Sequence, residues 1–250
     1  MCNIVIGNIF QLDEHIVGCG DARDKVFVEK VIRNANISLI LADVPYGVNY
    51  TAGKKGLTRI RKQKDILNDG YQSDREYTNF TRDWLSAVKP FLASKNAAYI
   101  FNCDRMLFAL RDGLISEDFH FGQLLIWLKS NVVLGRLNYL PQHELIIYAW
   151  YKTHQFFKSQ DKSLLFYPKP NKSILHPTQK PIGLLQRLIL NSSKIGDVVY
   201  DPFLGSGSAL VASELTKRKC IGIELDPEYC QTTITRFEKL TGKQAIKLKE

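Results

Sequence analysis

Short runs of apolar residues alternate along the chain with stretches in which apolar residues recur at helical spacing. The runs are rich in β-branched and aromatic residues, which favours buried strands over short helices. We predict seven strands, at His15–Cys19, Ile37–Ala42, Ala97–Asn102, Leu124–Leu128, Glu144–Trp150, Val198–Tyr200 and Cys220–Glu224.

Helical patterns lie between these strands. One is carried by Phe80, Trp84, Leu85, Val88 and Phe91. A second helix is predicted over 181–194, because a proline occupies its first turn and a glycine follows its end. A third begins at the capping pair Asp226-Pro227. Strands and helices that alternate in this way predict a single α/β domain over residues 1–250, with a mostly parallel, doubly wound sheet.

Two basic stretches interrupt the alternation. Residues 51–68 carry six lysines and arginines against one acid, and residues 151–175 are polar, aromatic and basic. Connections in α/β domains usually span only about 2–6 residues. Each stretch is therefore either a functional loop inserted in the domain or a solvated surface loop.

Composition excludes several classes of protein. The 250 residues are 45% hydrophobic and 11% aromatic, which allows a sizeable core and argues against disorder. The sequence predicts neither a membrane span nor a secretory signal. Five cysteines without a C-x-x-C motif argue against a disulfide scaffold or zinc site. We therefore expect a cytoplasmic protein that binds no metal.

The formal net charge of +9 is concentrated in two regions. Residues 129–194 hold ten lysines and arginines against two acids, a net of +8. Residues 51–68 add a net of +5, so the rest of the chain is net negative at −4. Because the positive charge is localised, we expect these regions to bind a polyanion.

A glycine-rich turn connects a predicted strand to a helix at Asp201-Pro202-Phe203-Leu204-Gly205-Ser206-Gly207-Ser208. Doubly wound sheets bind ligands at such turns, and Glu224 closes the next strand where an acid holds ribose hydroxyls. Leu210 replaces the third glycine of the dinucleotide fingerprint. Asp201 would repel phosphates but accept a hydrogen bond from an ammonium group. The turn therefore indicates S-adenosylmethionine, a nucleoside that carries an amino acid, although Asp201 also fits a simple turn or helix cap.

A second motif, Asp43-Val44-Pro45-Tyr46, follows the strand Ile37–Ala42. Pro45 cannot continue a central strand, so the chain turns there. Tyr46 can stack on a flat base. The Asp43 carboxylate and the Val44 carbonyl can each accept one N–H of an exocyclic amine. Taken alone, the four residues also fit an ordinary turn at the end of a strand.

Three motifs, in their order, resemble those of β-class amino DNA methyltransferases. The tetrapeptide at 43–46 is similar to the family's Asp-Pro-Pro-Tyr motif, and 201–208 is similar to its D-P-F-x-G-S-G-T motif. His176–Pro181 resembles the H-P-T-Q-K-P block. Gly18–Asp21 and Trp127–Lys129 extend the match over nearly the whole chain. The resemblance implies a Rossmann-like methyltransferase fold with circularly permuted motif order, in which the two chain ends lie close together.

The resemblance also implies individual roles. Asp43, Val44, Pro45 and Tyr46 would hold and stack the target base, with Val44 supplying the carbonyl that the family takes from a proline. His176 is expected to anchor a loop, and Lys180 alternatively fits a surface lysine at a helix start. The implied cofactor contacts are Asp21, Thr178, Lys180, Asp201, Phe203, Gly205, Ser206, Gly207 and Glu224.

Double-stranded DNA is the partner that the resemblance implies, with methyl transfer to adenine N6 of a flipped-out base. The family further implies a nucleoid-associated protein of bacterial or phage type in a restriction–modification setting. Residues 51–68 are assigned as a DNA-contact loop and 151–175 as a short target-recognition insertion, which favours a short site or a homodimer that shares the work. The candidate DNA contacts are Lys54, Lys55, Arg59, Arg61, Lys62, Lys158, Lys162, Lys169 and Lys172.

Several alternatives stay open at this point. The chain could methylate cytosine N4, although Asp43 favours adenine because N4 members more often carry serine there. It could be a catalytically weak DNA-binding partner, with Val44 marking decay of the active site. Methylation of a glutamine amide is disfavoured because that family usually begins its tetrapeptide with asparagine. The missing third glycine disfavours an NAD-dependent oxidoreductase.

Overall fold

The computed structural model describes residues 4–47, 70–132, 138–158, 160–168 and 179–248. The strands are β1 (Ile9–Leu12), β2 (His15–Cys19), β3 (Ile37–Asp43), β4 (Leu92–Asn102), β5 (Phe119–Leu128), β6 (His143–Tyr151), β7 (Thr153–His154), β8 (Leu164–Phe166), β9 (Val198–Asp201), β10 (Lys219–Glu224) and β11 (Ile246–Lys247). The α-helices are α1 (Lys25–Ile32), α2 (Asp74–Val88), α3 (Leu107–Ser116), α4 (Ile182–Ser192), α5 (Ser208–Leu215) and α6 (Pro227–Thr241). None of these helices is long and apolar enough to cross a membrane.

The strands form one sheet in the order β11-β1-β2-β10-β9-β3-β4-β6-β5-β8, with β7 paired to the start of β4. The five central strands, from β2 to β4, run parallel to one another. β6 is antiparallel to both of its neighbours. The prediction of a mostly parallel α/β sheet is confirmed.

Helices cover both faces of the sheet. On one face α1, α2 and α3 pack through residues such as Val31, Trp84 and Leu114. On the other face α4, α5 and α6 pack through residues such as Leu188 and Phe237. The central strands are therefore buried on both sides, which explains why they appear in the sequence as continuous apolar runs.

The chain ends meet at one side of the sheet. β11 pairs antiparallel with β1, with Phe10 opposite Lys247 and Gln11 opposite Ile246. β1 forms a hairpin with β2, which in turn lies parallel to β10. This arrangement confirms the predicted circular permutation, in which the last helix leads back to the strand that precedes Asp21.

Local sequence fixes the starts of two helices. At α2, Ser73 and Glu76 form a capping box, in which the Glu76 carboxylate accepts the Ser73 N–H and the Ser73 hydroxyl accepts the Glu76 N–H. At α6, Asp226 caps the helix and Pro227 occupies its first turn, as predicted. The predicted helix over 181–194 corresponds to α4.

Other boundaries differ from the predictions. β4 and β5 each begin five residues earlier than predicted, at Leu92 and Phe119. The stretch 151–175 was predicted to be a loop, but its described part contains β7 and β8. These strands are only two and three residues long. They owe their existence to pairing with β4 and β5, which no local pattern encodes.

Candidate active site

Parallel strands bring acidic residues together at one edge of the sheet. Asp43 ends β3, Asp201 ends β9 and Glu224 ends β10, while Asp21 lies two residues after β2. Because these strands are neighbours and run in the same direction, all four carboxylates lie along the carboxyl edge. This is the edge at which open α/β sheets bind their ligands.

Hydrogen bonds from α2 and β4 fix the backbone that follows Asp43. The Tyr77 hydroxyl of α2 donates a hydrogen bond to the Pro45 carbonyl at 2.9 Å, and the Asn102 amide donates to the same hydroxyl at 3.0 Å. Val44 is 2% exposed and packs in the core against α2. This position therefore requires an apolar side chain, which valine supplies.

The Asp43 side chain is paired with a buried lysine. Lys180 Nζ lies 2.6 Å from Asp43 Oδ2, and the lysine side chain is only 5% exposed. The alternative that Lys180 is a surface lysine is therefore wrong. Lys180 lies two residues before α4, and its ammonium group contacts the carboxylate that begins the tetrapeptide.

Sequence reasoning missed two further charged residues at this place. Glu144, near the start of β6, accepts from Lys180 at 3.3 Å and from Lys129, just after β5, at 2.6 Å. The Tyr46 hydroxyl donates to Glu144 at 3.1 Å and lies 3.4 Å from Asp43 Oδ1. Two carboxylates, two ammonium groups and one phenol thus form a single partly buried network.

The network shifts the pKa values of its two carboxyl groups in opposite directions. Burial raises the pKa of Asp43, an effect that Lys180 opposes and Glu144 reinforces. Burial also works against ionisation of Glu144, but Lys180 and Lys129 outweigh it and lower the pKa of that carboxyl. Lys180 loses hydration on burial, yet Asp43 and Glu144 raise its pKa. Asp43 is therefore the acid that takes up a proton more easily.

A second part of the edge surrounds the glycine turn. Glu224 Oε2 accepts the Gly205 N–H at 2.7 Å, and Glu224 Oε1 accepts the Asp226 N–H at 2.8 Å. Gly207 has φ +78°, and a Cβ there would lie 2.7 Å from Thr233 Cγ2 of α6. Thr233 Oγ1 donates to the Gly205 carbonyl at 3.0 Å. These bonds fix the backbone of the turn against the acid that ends the next strand.

The remaining residues of the turn point to an amino-acid ligand. Asp201 is buried, and its Oδ1 accepts the Phe203 N–H at 3.0 Å. Burial raises the pKa of Asp201 well above its usual range, and the carboxylates of Asp43 and Glu224 reinforce this shift. An ammonium group bound beside Asp201 would offset this unfavourable burial of its negative charge. Ser206 is also buried, and the centre of the Phe203 ring lies 5.6 Å from that of Phe80.

Asp21 has a partner of its own. Its two oxygens bind the Arg23 guanidinium, with the shortest contact at 2.6 Å, and Arg23 outweighs the opposing effect of burial to lower the pKa of Asp21. The Arg23 guanidinium also lies over the ring of Phe80, 5.7 Å from its centre. The acid at the end of β2 is thus ionised and oriented towards the turn between β2 and α1.

Many of the predicted DNA contacts lie outside the described residues. These are Lys54, Lys55, Arg59, Arg61, Lys62, Lys169 and Lys172. The predicted cofactor contact Thr178 and the predicted loop anchor His176 also lie outside the described residues. The described residues that flank them lie at the Asp43 edge. The backbone N–H of Gln72 donates to the Gly47 carbonyl at 3.0 Å, and Phe166 pairs with Leu128 at the carboxyl end of β5.

Lys158 and Lys162 are described, and the structure does not bring them to that edge. The neighbour of Lys158, Phe157, donates its N–H to the Asn191 carbonyl in the last turn of α4. That helix begins beside Lys180 and spans 11 residues, or about 16 Å. Asp161, next to Lys162, is bound by Arg187 and Asn191 from the same half of the helix.

The residues that the sequence did not reveal share one feature. Glu144 and Lys129 border the connection between two antiparallel strands, whereas the predicted site residues end parallel strands. The available signals were a lysine that ends Trp127-Leu128-Lys129 and an acid that opens an apolar strand. Nothing in the sequence indicated that Tyr77 and Asn102 support the site. Each lies in a helix or strand, where a buried residue needs no functional explanation.

Comparison with known proteins identifies the family. The N6/N4 methyltransferase family, described as DNA methylase, matches residues 37–235. The type II methyltransferase M2.MboI of Moraxella bovis is 28% identical over 228 residues, which cover 82% of each chain. M.HinfI of Haemophilus influenzae is 29% identical over 248 residues, covering 88% of this chain and 67% of that protein.

Solved structures show the same fold. M1.HpyAVI in complex with S-adenosylmethionine superposes with a TM-score of 0.65 at 24% identity, covering 88% of this chain and 98% of that one. The cytosine-N4-specific PvuII DNA methyltransferase gives a TM-score of 0.67 at 16% identity, covering 90% and 89%. Since the family match takes in both the Asp43 motif and the glycine turn, the chain belongs to the N6/N4 DNA methylase family of S-adenosylmethionine-dependent DNA methyltransferases.

Proposed function

We propose that the chain transfers the methyl group of S-adenosylmethionine to adenine N6 of a base flipped out of duplex DNA. The observation that carries the proposal is the Asp43 carboxylate at the end of β3, beside the aromatic ring of Tyr46 and the buried acid Asp201. Aspartate at the first motif position favours adenine over cytosine, as the family resemblance implies.

The residues around the glycine turn fit S-adenosylmethionine. Glu224 has both oxygens fixed by backbone N–H groups, and each keeps acceptor capacity for a ribose hydroxyl. Asp201 provides a buried carboxylate for the ammonium group of the methionine part. Asp21 and the ring of Phe203 would flank the adenine. The cofactor, when bound, supplies a methyl group on a positively charged sulfur.

The tetrapeptide orients the attacking amine. The Val44 carbonyl and the Asp43 carboxylate each accept one N–H, which aims the nitrogen lone pair and stabilises the charge that develops on nitrogen. Tyr46 stacks on the base while Glu144 holds its hydroxyl. After transfer the amine nitrogen carries one proton too many, and the Asp43 carboxylate takes that proton because burial favours its neutral form.

The basic stretches would hold the duplex. Residues 51–68 and 169–172 are flanked by described residues at the Asp43 edge. Their lysines and arginines are therefore proposed to neutralise phosphates near the flipped base, while sequence-specific readout by the insertion at 151–175 stays a prediction. A homodimer that shares this work also stays a prediction.

The experiment uses unmethylated DNA, S-adenosylmethionine and mass spectrometry of the digested nucleosides. We expect N6-methyl-2′-deoxyadenosine, and N4-methyl-2′-deoxycytidine instead would overturn the adenine assignment. Asp43→Asn should lower methyl transfer by about 100- to 1,000-fold. Its binding of S-adenosylmethionine in calorimetry should stay unchanged, and equal loss of binding and transfer would show that Asp43 is structural.

A further inference from the structure

Lys180 obstructs the carboxylate that the target amine must reach. Its ammonium group lies 2.6 Å from Asp43 Oδ2 and 3.3 Å from the nearer Glu144 oxygen. We propose that Glu144 is a positioning residue, which receives the Lys180 ammonium when the target base enters and so frees Asp43 for the amine. The inference rests on the proposed function, because it requires a base amine bound to Asp43.

The positive charge that develops during the reaction explains why the Lys180 ammonium should move from Asp43 to Glu144. The attacking nitrogen becomes positive as the methyl group arrives, and a lysine ammonium on the same carboxylate would repel it. Asp43 would also have one acceptor position fewer for the amine. Moving the ammonium away from Asp43 removes both effects, provided that another anion receives it inside the buried site.

The structure provides that anion at the right distance. Glu144 already contacts Lys180, so a small rotation of the flexible lysine stem completes the transfer without exposing the ammonium to water. Lys129 binds Glu144 at 2.6 Å on Oε1, while Lys180 and the Tyr46 hydroxyl meet Oε2. Glu144 is thus held in place by two partners besides Lys180 and does not follow the lysine.

The protonation states agree with this exchange. Lys180 and Lys129 outweigh burial and lower the pKa of Glu144, so Glu144 stays an anion able to hold a second ammonium. Burial raises the pKa of Asp43, and Glu144 reinforces that shift. The titratable and charged groups that face Asp43 or its partners from the packed elements are Tyr46, Cys103, Lys129, Glu144, Lys180, Asp201 and Glu224.

The test measures single-turnover transfer of a labelled methyl group to unmethylated DNA across pH. Among the described residues, Glu144→Gln leaves Asp43 as the acid that forms an ion pair with Lys180. The variant should therefore slow the plateau rate by roughly 10- to 100-fold, which corresponds to one charge-assisted hydrogen bond. It should also move the acid midpoint of the profile to lower pH. Lys129→Gln should move that midpoint the opposite way, because Glu144 then attracts Lys180 more strongly away from Asp43.

Opposite shifts cannot arise from a general loss of stability, and the Lys129 variant decides alone if Glu144→Gln does not fold. The control is Glu214→Gln, which removes the carboxylate that pairs with the buried His15 and should keep the wild-type midpoint. If the wild type transfers no methyl group to DNA, the proposed function fails. If the wild type is active and Asp43→Asn inactive, but neither network variant moves the midpoint, the exchange alone is overturned.

Discussion

Lys180 Nζ lies 2.6 Å from Asp43 Oδ2 at the end of β3, where the lysine side chain is 5% exposed and the aspartate side chain 29%. A protonated Asp43 carries no negative charge to stabilise the amine and cannot take up the proton that the amine releases, so methyl transfer should fall as pH falls through the pKa of this carboxyl. Burial raises that pKa and Lys180 pulls it down. The pair therefore sets the lower pH limit of the reaction.

Lys180→Met should move the acid midpoint of the rate to higher pH. The variant leaves burial and Glu144 to raise the Asp43 pKa without an opposing ammonium, so the neutral acid persists to higher pH. The measurement is the rate of labelled methyl transfer between about pH 5 and 9. Lys194→Met, at an exposed lysine just beyond α4, is the control that should not change the midpoint. A midpoint that falls in Lys180→Met would contradict the assignment.

Glu224→Gln should weaken binding of S-adenosylmethionine by about 10- to 100-fold. The amide lacks the negative charge, and it turns an N–H group towards the backbone N–H of either Gly205 or Asp226. Calorimetry with the free protein measures the effect. Glu238→Gln removes a carboxylate that also accepts a backbone N–H, from Ala245, and should bind the cofactor as the wild type does.

Gly207→Ala should destabilise the protein by about 2–5 kcal/mol, from left-handed backbone strain plus overpacking. Its φ is +78° and the new Cβ would meet Thr233 Cγ2 at 2.7 Å. Gly242→Ala, at φ +74° with open space around it, should cost only the strain, about 1–2 kcal/mol. Denaturant unfolding compares the two variants.

The contact with Thr233 can be tested within the same series. Thr233→Ser keeps the hydroxyl that bonds the Gly205 carbonyl and removes the methyl group that the new Cβ would strike. Added to Gly207→Ala, it should restore part of the stability. Equal costs at Gly207 and Gly242, with no such restoration, would show that Thr233 does not constrain the turn.

Neutralising Lys169 and Lys172 together should weaken the salt dependence of DNA binding. The slope of log K against log salt concentration should become shallower by about two, because each lysine neutralises about one phosphate. The matched control neutralises Lys158 and Lys217. Lys158 adjoins the last turn of α4, and Lys217 precedes β10, so both lie away from the Asp43 edge. If the salt slope is unchanged in the first double variant but reduced in the control, the DNA binds at the opposite edge of the sheet and not at the Asp43 edge.

The sequence by itself determined the parallel core and the two ligand-binding motifs. Strands buried on both faces must be apolar throughout, so β2, β3, β9 and β10 were recognisable from their runs. The tetrapeptide at 43–46 and the turn at 201–208 were recognisable because turns need proline and glycine at fixed positions. The order of these motifs then predicted the neighbouring chain ends that β1 and β11 form.

Only the tertiary structure decided which side chains share the site. β7 and β8 exist through pairing, and the separation of Lys158 from the Asp43 edge follows from the path of that segment along α4. Lys129 and Glu144 flank the connection between β5 and β6, and Lys180 comes from a later part of the chain; their charges meet because β6 runs antiparallel to its neighbours. Local sequence encodes which residues form each strand, but packing decides which charges are buried together, and burial gives those charges their chemistry.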